Sequence, residues 1–162
     1  MKKITALLMV LAMSVLMLAS CGTSSGKDSG TEKKEVKVGF ITLHDENSTY
    51  DKNFIDAAKA ACEALNIQYQ IRSNIPESSE CLDAAEDLID QGYNVIFADS
   101  FGHEDFMIQA AKKYPDVEFC HATGTKAHTE KLANYHNAFA SIYEGRYLAG
   151  VAAGMKLNEM IA

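Results

Sequence analysis

The sequence predicts a doubly wound α/β fold built on a parallel sheet. Three observations carry that prediction. Short apolar runs alternate with stretches of helical period from residue 36 onward. The helical stretches are long enough to return the chain across a sheet, so successive strands run parallel. The run Tyr93–Ala98 (YNVIFA) is apolar enough for burial on both faces, which is the habit of parallel strands.

Each element has its own signal. Val36–Thr42 (VKVGFIT) alternates and then turns wholly apolar, a first strand. Leu43–Tyr50 (LHDENSTY) is a polar, turn-prone loop. A helix follows, with Phe54, Ala57, Ala58, Ala61, Cys62 and Leu65 at steps of three and four. Ser48 with Asp51 three residues on is a partial N-terminal cap, and Asn66 is a plausible stop. Ile67–Ile71 (IQYQI) alternates again, a second strand. Pro76 opens a second helix with Leu82, Ala85, Leu88 and Ile89 on one side, stopped by Gln91-Gly92. Tyr93–Ala98 is the third strand, and Asp99–Gly102 the loop after it. A third helix carries Met107, Ala110, Ala111 and Tyr114 and ends at Pro115. Val117–His121 and Ala133–Ala140 supply the fourth and fifth strands. The last helix, Ser141–Met160, is nearly free of charge, and Gly145, Ala149, Gly150, Ala153 and Gly154 suit it to close backbone contact.

In sheets of this class a ligand sits beyond the carboxyl ends of the strands, where strand order reverses. The loops His44–Tyr50, Asp99–Gly102 and Ala122–Lys126 lie there. Asp45, Asn47 and Asp51 can bond hydroxyls or ring nitrogens, while Tyr50, Phe54 or Phe101 can stack on a planar ring. The competing reading is a solvated loop whose Asp and Asn residues only make turns and caps.

Other chemistries find little support. No G-x-S-x-G, G-x-x-x-x-G-K-[ST] or G-x-G-x-x-G occurs. The acids on helix faces read as solvent-facing charge. His44, Asp45 and Glu46, like His103, Glu104 and Asp105, are adjacent in sequence, and neighbours in a loop seldom ligate one ion, so no metal is expected. His121, His128 and His136 read as surface or hydrogen-bonding residues. A nucleoside hydrolase needs clustered aspartates, and here they are scattered. The chain is therefore read as a non-enzyme with no cofactor. Its net charge is −7; without residues 1–20, which hold Lys2, Lys3 and no acid, the remainder stands at −9, a poor match to nucleic acid. Beyond Cys21, an odd set of three cysteines remains, Cys62, Cys81 and Cys120, and these read as buried thiols, with a Cys62–Cys81 bridge as the alternative.

The N-terminus reads as an export signal. Lys2 and Lys3 precede an apolar run from Ile4 to Leu18, too short for a membrane span. Leu18-Ala19-Ser20-Cys21 resembles the lipobox of bacterial lipoproteins, in which the cysteine is acylated and becomes the first mature residue. Gly22–Glu35 (GTSSGKDSGTEKKE) has no large apolar side chain and reads as a flexible tether. The expected organisation is a signal at 1–20, a tether at 21–35 and a folded lobe at 36–162. Lipid on Cys21 would hold that lobe on the extracytoplasmic face of a bacterial membrane.

VKVGFITLHDENSTYDKNFIDAAKAA, NVIFADSFGHEDFMIQAAKKYPDVEF and NAFASIYEGRYLAGVAAGMKL resemble the basic membrane protein family. Its members are lipid-anchored substrate-binding proteins of ABC importers and include purine nucleoside receptors. The resemblance implies a type I periplasmic-binding-protein-like architecture of two lobes closing on a ligand. It implies that this chain is the first lobe only, from a truncated gene or a fragment, and that its partners are an ABC permease and ATPase. The implied ligand is a purine nucleoside or base. A D-K-S-F-N-like motif of the family corresponds to Asp51-Lys52-Asn53-Phe54, which makes Phe54 the implied stacking ring, with Asn53 and Ile55 departing from the pattern. Asp45 becomes the first-loop acid, and Asp99 and Phe101 the floor. Another branch of the family carries Thr-Tyr where Thr49-Tyr50 stand here. A ligand-sensing surface lipoprotein and a non-functional fragment are the alternatives.

Overall fold

The computed structural model describes residues 35–161. The signal segment, Cys21 and the tether up to residue 34 lie outside the described residues. Five strands and five helices alternate: β1 (Lys37–Ile41), α1 (Thr49–Leu65), β2 (Gln68–Arg72), α2 (Ser79–Asp90), β3 (Val95–Ala98), α3 (Glu104–Lys113), β4 (Glu118–Ala122), α4 (Ala127–Glu130), β5 (Tyr135–Ala138) and α5 (Ile142–Ile161). A 3₁₀ turn, Phe101–His103, precedes α3. The strands form one parallel sheet in the order β2-β1-β3-β4-β5. The order reverses between β1 and β3, which sets the switch point at the ends of Ile41 and Ala98.

Local chemistry explains the boundaries. Ser48 caps α1: its backbone is extended and its hydroxyl accepts the Asp51 amide. Asn66 closes α1 in the left-handed conformation at φ 53°, which asparagine tolerates. Helix α2 starts three residues after the expected Pro76. The Ser78 amide turns back to the Pro76 carbonyl, and the Ser78 hydroxyl then accepts the Glu80 amide, so serine is the true cap. The four-residue α4 was not foreseen, because it is a single turn without a periodic face.

One face of the sheet is fully packed. Leu88 of α2 and Met107 of α3 meet Ile41, Ile96 and Phe119 there, all essentially without solvent exposure. Gly39 is required by this packing, since a Cβ would come within 2.7 Å of Leu88 Cδ1. The opposite face carries Phe40 and Phe97, whose ring centroids lie 5.9 Å apart, and it is only partly covered by α1. The expectation of cover on both faces is therefore corrected. Ile96 and Ala98 are buried but Val95 and Phe97 are half-buried, and Glu118, His136 and Ala138 on the same side are exposed. Helix α1 lies over the Phe40 and Ile71 end of the sheet.

Helix α5 also departs from expectation. Every one of its residues is exposed, and a Cβ at Gly145, Gly150 or Gly154 would meet nothing within 4 Å. Its small residues suit close contact, but no described element supplies the opposing surface. No described helix is long and apolar enough to cross a membrane.

Cys62 and Cys81 are buried, Cys120 is half-buried, and all three are free thiols. The bridge alternative is thus excluded. Burial pushes the Cys81 thiol up to about 12 and also raises Cys62 and Cys120, so only the half-exposure of Cys120 sets it apart. Under native conditions at pH 8, maleimide labelling mapped by mass spectrometry is expected to reach Cys120 well before Cys62 or Cys81. Equal rates at all three would contradict this packing.

Candidate functional site

The carboxyl ends of β1, β3 and β4 carry a connected polar group. The loop after β1 is held by Asp51, which is almost completely buried. Its carboxylate accepts the His44 amide at 3.0 Å, the His44 ring nitrogen Nδ1 at 3.1 Å and the Ser48 hydroxyl at 2.5 Å. Burial alone would raise this carboxyl. The Ser48 hydroxyl, the His44 amide and the His44 ring outweigh it and bring it down to about 2. Both oxygens are committed within the loop, so Asp51 braces the site from beneath.

Asp99 follows β3 and is 1% exposed. Its Oδ1 accepts the Leu43 amide at 3.3 Å, while Oδ2 is buried with no donor among the described residues, beside the Asp51 carboxyl. Burial, reinforced by the charge of neighbouring Asp51, lifts Asp99 to about 7. Two carboxyls of one site thus differ widely in acidity because one is surrounded by donors and the other is not.

Tyr50 and Phe54, one turn apart on α1, form the aromatic wall. Their centroids lie 5.1 Å apart at an interplanar angle of 54°. The Tyr50 hydroxyl donates to the Asp99 carbonyl at 3.3 Å, which ties α1 to the end of β3. Burial raises the Tyr50 phenol, partly offset by the Thr123 side chain beside it. Two hollows flank this wall. One, of about 220 Å³, lies between α1 and the sheet, with Phe40, Phe54, Phe97 and Asp99 among its lining. The other, of about 390 Å³, is bounded by Tyr50, Phe54, Phe97, Thr123 and Phe139. Both are apolar with a few polar groups at the rim, the composition of a small-molecule site.

The remaining sequence-derived candidates stand apart. Asp45 accepts the Asn47 amide at 2.9 Å and the Asn47 side-chain amide at 3.0 Å, an Asx-type turn. Those bonds lower its carboxyl. Phe101 is 67% exposed and belongs to neither hollow.

The third loop is built by residues that sequence reasoning passed over. Glu104 opens α3 and is buried, contrary to the reading of helix acids as solvent-facing. Its Oε1 accepts the Thr125 and Lys126 amides, both at 2.7 Å, and takes longer bonds from the Tyr135 hydroxyl and the Asn137 side-chain amide. Gly124 is needed beside it, because a Cβ would crowd Glu104 Oε1, Asn137 Nδ2 and His121 Nδ1 at once. His121 is fully buried, so it is no surface residue, and its Nε2 lies 2.6 Å from the Ser100 carbonyl. His103 is likewise buried, with Nε2 2.9 Å from the Ile75 carbonyl. Burial lowers both imidazoles and keeps them neutral. Among the described residues, no three His, Cys, Asp or Glu side chains converge as a metal site. Glu104, directly after a 3₁₀ turn at the switch of strand to helix, was the available signal: acids in a first helical turn often serve nearby amides.

Comparison with known proteins agrees with this geometry. Residues 38–162 match the family described as ABC transporter substrate-binding protein PnrA-like. A purine-binding protein of Brucella abortus (strain 2308) is 34% identical over 135 residues, covering 80% of this chain and 37% of that protein. A Haloferax volcanii protein provisionally named as ABC transporter glucose-binding protein TsgA13 is 31% identical over 151 residues, covering 85% of this chain and 37% of its own length. The chain thus spans little more than a third of these relatives. Among solved structures, an ABC transporter solute-binding protein from Conexibacter woesei superposes with TM-score 0.55 at 19% identity, over 64% of this chain and 35% of that one. The Lac repressor bound to ONPG superposes with TM-score 0.51 at 11% identity, over 80% and 38%. These likenesses are of fold.

Proposed function

The chain belongs to the family of PnrA-like ABC transporter substrate-binding proteins, and from that premise we propose that its α/β lobe forms one jaw of a receptor for purine bases or nucleosides. The observation that carries the reading is the meeting of Tyr50, Phe54 and Asp99 at the switch point of the sheet. Aromatic faces suit a purine ring, and a carboxyl beside them suits a ring or exocyclic nitrogen. The purine-binding relative supports the ligand class. The receptor would hand its ligand to a permease driven by an ATPase, and acylation of Cys21 would keep it at the outer face of the membrane. Capture is by closure of lobes, without bond chemistry.

The test uses the full chain purified in mild detergent. Adenine, adenosine, guanosine and glucose are titrated separately, followed by saturation-transfer NMR and by tyrosine fluorescence, since the chain has no tryptophan. Binding of at least one purine is expected, weakened about tenfold or more by Tyr50→Ala or Phe54→Ala, the usual effect of removing a stacked ring. Binding of glucose with no purine response would overturn the ligand class and leave the receptor role standing.

A further inference from the structure

Asp51 and Asp99 bring two carboxyl groups together in the interior, at the carboxyl ends of β1 and β3. Each is 1% exposed. They bind consecutive amides of one loop: Leu43 donates to Asp99 Oδ1 at 3.3 Å and His44 to Asp51 Oδ1 at 3.0 Å. The two side chains therefore lie beside each other, and each shifts the acidity of the other.

Their surroundings are unequal. Asp51 receives three donors, the His44 amide, the His44 ring and the Ser48 hydroxyl. A carboxylate has about four lone-pair sites, so one is left. Asp99 has a single long bond, from Leu43, and its Oδ2 meets no donor among the described residues. The groups packed around it are spent elsewhere. The Tyr50 hydroxyl of α1 goes to the Asp99 carbonyl, and Thr123, after β4, sits beside that phenol. His121 of β4 bonds the Ser100 carbonyl, and His103 of the 3₁₀ turn bonds the Ile75 carbonyl. Among the described residues the one ion pair that the two carboxyls make is with His44, whose ring is more than half exposed. Two carboxylates side by side and shielded from water do not both ionise. One proton resolves the conflict: placed on Asp99 Oδ2, it turns the orphan oxygen into a donor and meets the last lone pair of Asp51.

We propose that Asp51 and Asp99 share one proton, that this proton latches the loop after β1 and the first turn of α1 to the end of β3, and that the ligand site is thereby gated by pH. The inference rests on the receptor reading above and names a regulation of that same site. When Asp99 ionises, two adjacent anions repel, and Tyr50 and Phe54, carried on the opening turns of α1, lose their set against β3. Asp99 Oδ1 keeps a lone pair for ligand; through the proton on Oδ2 the residue acts as a positioning residue.

The experiment uses the full chain in mild detergent, parent and Asp99→Asn. The aspartate carboxyl carbons are followed by NMR without ligand from pH 3 to pH 9. One carboxyl, missing in Asp99→Asn, is expected to hold its proton to about 7. The Asp51 carboxyl and the Leu43 and His44 amides are expected to shift with that same midpoint. An Asp99 that ionises at about 3.9, as free aspartate does, overturns the proposal. So does a high midpoint that moves neither the Asp51 carboxyl nor the two amides, since no proton would then be shared. Adenine binding by saturation-transfer NMR is compared at pH 6 and pH 8. The parent is expected to weaken about tenfold, the fall in the protonated fraction of a group titrating at about 7. Asp99→Asn, whose side-chain amide donates to Asp51 at either pH, is expected to give a flat profile whatever its absolute affinity. An equal slope in both chains, or no slope in the parent, overturns the gating and leaves the receptor reading standing. If the pair titrates as expected and no purine binds at either pH, the ligand class falls while the loop amides uphold the latch.

Discussion

Asp99→Asn is expected to stabilise the protein at pH 8 and to leave it unchanged near pH 3.5. Asp99 is lifted from the ordinary 3.8 to about 7, first by burial and then by the charge of Asp51. A carboxyl raised in the folded state contributes stability that is fully present below its unfolded value. That stability is lost as pH climbs through the folded value. The native protein should therefore weaken between about pH 4 and 7 and then level off. At about 1.4 kcal/mol per pH unit, the whole fall is on the order of 2–4 kcal/mol. Asparagine keeps an oxygen for the Leu43 amide and has no proton to lose. Asp51 works in the opposite sense. Held down at about 2 against an ordinary 3.8, it contributes stability above pH 4 that disappears as pH falls toward 2. Urea unfolding followed by circular dichroism from pH 3 to 8 separates the two. A parallel pH profile for Asp99→Asn and the parent would show that Asp99 ionises as an ordinary surface carboxyl.

Removing the Glu104 side chain is the second large effect. Glu104→Ala strips a buried acceptor from the Thr125 and Lys126 amides and from the Tyr135 hydroxyl. Burial raises the Tyr135 phenol, so it remains a donor in search of a partner. Leaving such groups buried and unpaired costs about 3–5 kcal/mol. Glu104→Gln preserves shape and one acceptor oxygen while losing the charge, and is expected to cost about 1–2 kcal/mol. The loss should localise to the loop after β4, so amide exchange at Thr125 and Lys126 should accelerate before that of β3. A change under about 1 kcal/mol for Glu104→Ala would mean that solvent replaces the carboxylate at no cost. Because Thr123 lies in the same loop, Glu104→Ala should also loosen the hollow beside Tyr50.

The periods of two and 3.6 that define strands and helices are local properties, and they survive into the structure with shifts of one to three residues. The largest shift, at Pro76, arose because proline and serine both open helices, and only the Ser78 hydroxyl bond to the Glu80 amide decided between them. The Ser48–Asp51 cap was equally legible, since both partners lie within one turn. Its consequence was not: the bonds that make the cap also occupy Asp51 and remove it from the open face of the site. Asp45 and Asn47, read as ligand donors, satisfy one another across two residues.

Sequence by itself determined the parallel α/β class, the strand ends where a ligand could lie, and Tyr50 and Phe54 among the candidate stacking rings. Each depends on residues near one another along the chain. Tertiary structure alone decided which polar groups are spent and which are left over. Asp99 lost its water because β3 lies beside β1, and Glu104 became an internal acceptor because α3 packs under the loop after β4. Desolvation and hydrogen-bond satisfaction depend on what is adjacent in space, and no period in a sequence encodes that.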